Sequence, residues 1–586
     1  MRVLLLAASL LWLIACLWFP LTDTDIWWHL ASAKLMLSTK AFLRADPFCQ
    51  SSLGAPWTDL HWGFQILAYA AWKSGGARAL VAGKCVALAA ALGFALKPHL
   101  DRRTLPWLLP LAAFGLYHIR FFIDVRPLVL TLPGLGIEYT VVIAYLRGRR
   151  LRPWWILAPV QVAMVNVQGL YLLGPFLVTC MALGEYAGRR WPAVFSAQAD
   201  RDGYTAQATR PLLRPLLLTC AALWFAGIAS PYGLRGFLLP FSLFGRIAPV
   251  ATNIFSTEIA ENLPLSDLLR RDPGAALPFL ILGSAMALTF GRGRSPGSSA
   301  SRISLGHAVL FLAFSALGWM AQRNLPLSLL AGLMAAGSNL QASLGSRREG
   351  NADGAVSRSD GDGARPRMSR LPEAWAGFMA LALIALIYCP KVRAAWEYEL
   401  PGSLETPFRF PAPAVDWLEA HPIPGNLFNE LRYGGYVEFR LFPGLRTFVD
   451  GRMILRTAAF YRDFLDAVDH PEGFPGYRAR YAFTHALLPI SEDRRFLPLA
   501  AWLIREGGWG LYYCDGASAL LADTAAVGSY VTPMDLNSLP PGHPLSVALH
   551  RRFSSNPRLE TMAVQNAALL LKAAGHDRAA ADLLGH

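Results

Sequence analysis

The residues best suited to chemistry lie in one short stretch, Asp23-Thr24-Asp25-Ile26-Trp27-Trp28-His29-Leu30, directly after an apolar run from Leu4 to Phe19. Two carboxylates, an aromatic pair and an imidazole are thereby delivered to a membrane surface, where charge is costly and tends to be kept for function. If Asp25 opens a helix, His29 lies one turn on and shares its face. A carboxylate so placed can take the proton of a reacting hydroxyl. Clustered oxygen and imidazole donors also suit a divalent cation such as Mg or Mn. Asp25, Asp23 and His29 are therefore both the catalytic candidates and the candidate metal ligands. The plain alternative is an N-cap, with Thr24 or Asp25 starting an amphipathic helix. A cap accounts for one acid, not for two beside paired Trp and a His.

The stretch continues through Asp46-Pro47-Phe48 to Trp57-Thr58-Asp59-Leu60-His61-Trp62. Asp59 and His61 repeat the acid-plus-imidazole theme, and Trp27, Trp28, Trp57 and Trp62 read as interface anchors. Arg126-Pro127 and Gln322-Arg323-Asn324 each put a guanidinium where an apolar run begins. A planar guanidinium can bind a phosphate through two parallel hydrogen bonds; the bland reading is an arginine snorkelling at a helix start. Asn166-Val167-Gln168-Gly169 interrupts two apolar runs, and amides at membrane depth are tolerated where they line a cavity. A plain turn is the alternative. Glu258 and Glu261 lie in an amphipathic loop from which either can approach a site. Gly434-Gly435-Tyr436 before one β-like run and Asp450-Gly451-Arg452 after another read as turn chemistry.

The elements that must position these residues follow from composition. Of 586 residues 54% are hydrophobic and only 16% charged, where a soluble chain carries about 25%. Net charge is +14, but the arginine clusters sit between apolar runs. They fit topology and anionic lipid rather than nucleic acid. The seven cysteines lack CxxC spacing, which argues against a metal or disulfide framework. The first apolar run reads as an uncleaved anchor, since Trp18, Phe19 and Pro20 follow it in place of small residues.

At about 20 apolar residues per span, roughly eleven spans are expected: 3–19, 78–96, 105–122, 127–146, 154–165, 170–185, 213–230, 276–291, 304–321, 325–341 and 374–390. The pair 154–165 and 170–185 is short enough to be re-entrant, and 61–72 reads as a partial dip. With the N-terminus inside, the basic loops 97–103, 147–152, 189–214, 292–302 and 347–370 all fall on one side, as the positive-inside rule requires. The predicted organisation is a transmembrane part, 1–390, with outer loop 20–77 and a disordered cytoplasmic linker, 345–370. Residues 193–212 form a shorter polar loop. An outer α/β domain, 391–555, follows, with β-like runs at 435–440, 446–450 and 509–513 and a hairpin signal at Asp515-Gly516. A tetratricopeptide-like helix pair, 556–586, ends the chain.

On these pieces, taken in order, the chain resembles bacterial polytopic membrane glycosyltransferases of the GT-C class, in a branch with an outer α/β domain. The pieces are Asp23 to Leu30, Asp46-Pro47-Phe48, Trp57 to His61, Arg126-Pro127, Asn166 to Gly169, Pro231-Tyr232-Gly233, Arg323 to Pro326, Gly434-Gly435-Tyr436 and Phe448 to Arg452. Two positions depart from the pattern: Gln168 stands where a His is common, and Asp59 where a His-Glu-Trp-like run is expected. The resemblance implies a membrane all-α, GT-C-like bundle in the inner membrane, with the N-terminus cytoplasmic and the C-terminal domain periplasmic. It implies sugar transfer from a polyprenyl-phosphate-linked donor, among membrane lipids, to a glycan, lipid or protein acceptor. Asp23 and Asp25 would be the catalytic acids. Arg126, Arg323, Asp59, His61, Asn166, Gln168 and Glu258 make up the substrate-binding set. Two rival readings are a lipid-linked saccharide flippase and a non-catalytic scaffold whose outer domain binds a partner.

Overall fold

A computed structural model describes residues 2–149, 151–198, 213–247, 253–291, 303–352, 406–491, 494–528, 531–540 and 542–585. The chain divides into two compact units. One comprises Met1–Trp18 and Val81–Cys389, the other Phe19–Leu80 and Pro390–His586. The loop 20–77, expected to belong with the transmembrane part, thus folds with the C-terminal part.

The first unit is helical. Helices Leu105–Phe122, Leu128–Leu146, Gly169–Arg190, Pro273–Gly291 and Gln322–Leu344 are long and apolar enough to cross a membrane, as is Trp62–His99, which breaks helical geometry at Gly75 and Gly76 and belongs to this unit only from Val81 on. Ala7–Leu17, Pro153–Val165, Leu213–Ala226 and Leu305–Met320 are shorter apolar helices. These ten fall on the first ten expected spans; the partial dip 61–72 is the part of Trp62–His99 before the break at Gly75-Gly76, and the span 78–96 the part after it. The eleventh, 374–390, lies outside the described residues. Of the suspected re-entrant pair, Gly169–Arg190 has full spanning length and Pro153–Val165 does not. Phe225 is 78% exposed and Leu288 71%, an outward apolar surface that suits hydrocarbon. Small residues set the closest helix approaches: a Cβ on Gly184 would stand 2.5 Å from the Gly306 nitrogen, and one on Gly136 2.9 Å from the Ala91 carbonyl oxygen. Helix Leu325–Ala352 continues through the first eight residues of the segment read as a disordered linker; 353–370 lies outside the described residues. Of the loop 193–212, residues 193–198 are described, and Phe195 forms an isolated bridge with Ile303.

The second unit carries a four-stranded mixed sheet in the order β1-β2-β4-β3, with β1 Asn426–Asn429, β2 Phe483–Pro489, β3 Trp509–Cys514 and β4 Ser518–Asp523. β1 runs parallel to β2, whereas β4 is antiparallel to both β2 and β3. The Asp515-Gly516 hairpin forms as expected. Asp515 Oδ1 accepts from the Ala517 and Ser518 amides at 3.0 and 2.9 Å, and Gly516 takes the left-handed backbone (φ +76°) the turn needs. Helices Pro557–Ala573 and Asp577–Gly585 make the expected pair.

Two β-like readings are corrected. Residues 435–440 lie in helix Leu431–Leu441, which starts where the Glu430 side chain accepts from the Arg432 amide. Gly434 and Gly435 are inside this helix because other backbone presses on them. A Cβ on Gly435 would lie 2.8 Å from the Trp28 nitrogen, and one on Gly434 would run into the Val449 carbonyl oxygen. Tertiary packing overrides local β propensity here. Residues 446–450 form no strand; Thr447 makes an isolated bridge with Cys49.

Candidate active site

Helix Asp25–Thr39 begins at the expected acid. Asp23 Oδ1 accepts from the Asp25 amide at 3.0 Å, so Asp23, itself buried, supplies the capping oxygen. Asp25 is left half-buried on the first turn, where the helix dipole favours a negative charge. Its carboxylate abuts Gly451 so closely that any Cβ there would collide with Asp25 Oδ1. His29 is buried, with ring centroids of Phe64 and His61 at 5.0 and 5.5 Å. Asp59 is buried, and its Oδ1 accepts from the His61 amide at 3.1 Å and lies 3.6 Å from His61 Nδ1. The fold thus brings His29, His61 and Asp59 together behind the Asp25 turn. Trp27, Trp28 and Trp57 are not surface anchors but core: Trp27 is 1% exposed and packs edge-on against Trp72, Phe410 and Tyr436.

Gly451→Ala tests this arrangement. The added methyl displaces the Asp25 carboxylate, so activity is expected to fall about as far as when the acid is removed. Gly473→Ala, whose methyl would meet open space, is the control. Donor turnover and melting temperature of both variants check the expectation.

Beside this turn lies a buried charge cluster that sequence reasoning did not assemble. The Arg452 guanidinium, 1% exposed, bonds Asp450 through Nε, lies 2.9 Å from Asp46 through Nη2, and 3.7 Å from Glu438. It also faces the Trp57 ring at 4.6 Å, a cation–π contact. Cys49 Sγ donates to Glu438 Oε1 at 3.4 Å, and Thr447 Oγ1 donates to the same oxygen at 2.8 Å. Asp46-Pro47 and Asp450-Gly451-Arg452 are visible as motifs. Their union with Glu438 and Cys49 spans more than 400 positions, and no local spacing announces it.

Among the described residues, Cys49, Glu438 and Asp450 are the group whose metal-ligating atoms converge within 4.8 Å; Asp23, Asp25 and His29 are not. At the first place the Arg452 guanidinium already supplies the positive charge that a metal ion would bring.

Burial, with Asp450 and Asp46 beside it, pushes the Glu438 carboxyl well above its ordinary value. Burial also raises Asp450, but Arg452 and Arg456 outweigh it and hold that carboxyl low. The two therefore act oppositely on stability. Glu438 binds its proton more tightly folded than unfolded, so its contribution is complete in acid and is lost as pH rises toward its folded value. Asp450 contributes above the ordinary carboxylate range and loses it as pH falls. Glu438→Gln is expected to flatten the loss of melting temperature as pH rises above the ordinary carboxylate range; an unchanged slope there would refute the assignment.

In the first unit, Arg126 forms an ion pair with Glu261. Burial raises the Glu261 carboxyl, but Arg126 and then Arg323 pull it below its ordinary value. Arg126 and Arg323 therefore do converge, on an acid that belongs to the protein. Glu258 is exposed, and it is Glu261, also in the amphipathic loop, that meets the arginines. The Gln322 amide donates to the Leu263 carbonyl at 3.1 Å, pinning the arginine turn to the glutamate loop. Asn166 Nδ2 donates to the Val162 and Ala229 carbonyls, each at 2.7 Å, and Gln168 Oε1 accepts from Thr131 at 2.7 Å. These amides tie down a turn.

No family model matches the chain, and no curated protein matches it in sequence. Its structure is similar to several solved ones. The oligosaccharyltransferase AglB of Archaeoglobus fulgidus, bound to an inhibitory peptide and a dolichol-phosphate, shares 13% identity over 89% of this chain and 74% of its own, with a TM-score of 0.45. The apo form of the Archaeoglobus enzyme gives 14% identity over 91% and 75%, with a TM-score of 0.48. ArnT of Cupriavidus metallidurans, bound to undecaprenyl phosphate, gives 14% identity over 90% and 98%, with a TM-score of 0.41. Both proteins are of the GT-C class that the sequence resembles. At these scores the chemistry of this chain does not follow from the likeness and has to come from its own residues.

Proposed function

We propose that the protein is a multi-pass membrane glycosyltransferase that moves a sugar from a polyprenyl-phosphate-linked donor to an acceptor at the periplasmic face of the inner membrane. The observation that carries this reading is Asp25, a half-buried carboxylate on a helix N-terminus, its backbone amide held by Asp23 and its carboxylate seated against Gly451. Asp25 takes the proton of the acceptor hydroxyl as that oxygen attacks the sugar carbon. His29, with His61 and Asp59 behind it, keeps the acid's surroundings in place. Within the first unit, Arg126 and Arg323, gathered on Glu261, can take a lipid phosphate in its place. The leaving group is the polyprenyl phosphate.

The test is mass spectrometry of lipid that copurifies with the protein, followed by release of polyprenyl phosphate from the lipid-linked sugar supplied in liposomes. A purified protein that carries no polyprenyl phosphate lipid and releases none sinks the proposal. Arg126→Ala is expected to weaken retention of the lipid while leaving the fold intact, since the pair it breaks is part-exposed and worth little to stability.

A further inference from the structure

We propose that Glu138, Gln161 and Gly174 form a binding site for one monovalent cation, a proton or Na+, inside the helical bundle, apart from the groups assigned to sugar transfer. Glu138 lies near the middle of helix Leu128–Leu146, within an apolar span, and is fully buried. Neither of its carboxylate oxygens has a hydrogen-bond partner among the described residues. Gln161, on helix Pro153–Val165, is also fully buried, and its Oε1 has no partner either. The orientation of that amide is not arbitrary. Its Nε2 donates to the Tyr171 carbonyl at 2.9 Å, and a flipped amide would set oxygen against oxygen there.

The third participant is a glycine. A Cβ on Gly174 would lie 2.5 and 2.6 Å from the two Glu138 oxygens and 2.7 Å from Gln161 Oε1. Three acceptor oxygens from two helices therefore surround one point against Gly174 on a third helix, with no donor among them. The titratable groups on the neighbouring elements are engaged elsewhere. Glu185 pairs with Arg189 at 2.8 Å, His99 bonds Tyr139 and Gln341, the Tyr171 hydroxyl donates to the Phe237 carbonyl, and Lys97 is exposed. Helix Leu325–Ala352 carries none as far as Leu344.

A buried carboxylate facing only acceptors is not sustainable in a low-dielectric interior. The missing positive partner must be small, because the space is what an absent methyl leaves. A proton on Glu138 removes the uncompensated charge. So does Na+ held by the three oxygens, with water completing its shell.

Full-length protein in liposomes distinguishes the two. Infrared difference spectra of wild type against Glu138→Gln read a protonated carboxyl directly, and melting in NaCl against choline chloride reads Na+. For a proton, wild type shows a carboxylic-acid band that Glu138→Gln lacks and that fades as pH rises, with no Na+ effect. For Na+, the band is absent and NaCl raises the melting temperature of wild type but not of Glu138→Gln. Gly174→Ala, whose methyl presses on these oxygens, should shift the carboxylic-acid band in the proton case or abolish the NaCl effect in the Na+ case. If Glu138→Gln does not fold, Glu138→Asp takes its place: its shorter carboxyl is expected to shift the band in the proton case, or to lower the NaCl-dependent rise in melting temperature in the Na+ case. A wild-type protein with neither the band nor the Na+ shift overturns the proposal.

Discussion

Asp25→Asn is expected to lower donor turnover by about 10²–10⁴-fold, the usual worth of a positioned general base, with expression and melting temperature close to wild type. The separation between activity and stability follows from geometry. Asn is isosteric, so it still fits against Gly451, and the hydrogen bond that starts the helix comes from Asp23 rather than Asp25. Asp23→Asn gives the contrasting outcome. Its amide oxygen can still accept from the Asp25 amide, so activity should fall less than in Asp25→Asn. Asp23→Ala removes the cap and should cost roughly 1 kcal/mol of stability. Polyprenyl phosphate release, measured beside thermal unfolding, checks both. Wild-type release by Asp25→Asn would remove this acid from the chemistry and leave the membrane assignment untouched.

Arg452→Met is expected to destabilise the second unit by about 3–5 kcal/mol, the cost of leaving buried charge without its partner. Asp46 and Asp450 both face the guanidinium in the interior, with Glu438 close behind. Arg452→Lys should rescue poorly, because one ammonium cannot reproduce a planar fork that reaches several acceptors at once. The double variant Arg452→Met/Asp450→Asn should recover part of the loss by removing one of the stranded charges. Thermal unfolding and limited proteolysis of the full chain measure all three. A single variant that melts like wild type would show the cluster to be solvated and this account of it to be mistaken. Asp450 and Arg452 flank Gly451, so the same lesion should also loosen the backbone against which Asp25 rests. Activity is then expected to fall in step with stability, which distinguishes this variant from Asp25→Asn.

Much of the architecture was legible before any coordinates. Ten apolar runs became ten apolar helices, the Asp515-Gly516 hairpin formed, and the tail folded as a helix pair. Hydropathy, turn chemistry and helical period are local signals, and each needs only a window of neighbouring residues. The placement of Asp25 at a helix start was local in the same way. What failed was non-local. Residues 435–440 read as β-like because nothing nearby reports that the Gly434-Gly435 surface must admit another helix and a carbonyl. Trp27 reads as an interface anchor until the helix it stands on packs into a core of Phe410, Tyr436 and Phe439.

The sequence by itself determined where the hydrocarbon-compatible segments lie and which residue types stand close enough in the chain to act together, since both depend on side-chain type and near spacing. Only the tertiary structure decided that the first loop folds with the C-terminal part, that Arg452 neutralises acids from positions 46 and 450, that Glu261 meets Arg126, and that Glu138 faces acceptors alone. Those are pairings of charge across long chain separations. A buried charge is settled by whatever the fold brings within a few ångströms of it, and a linear string does not carry that distance.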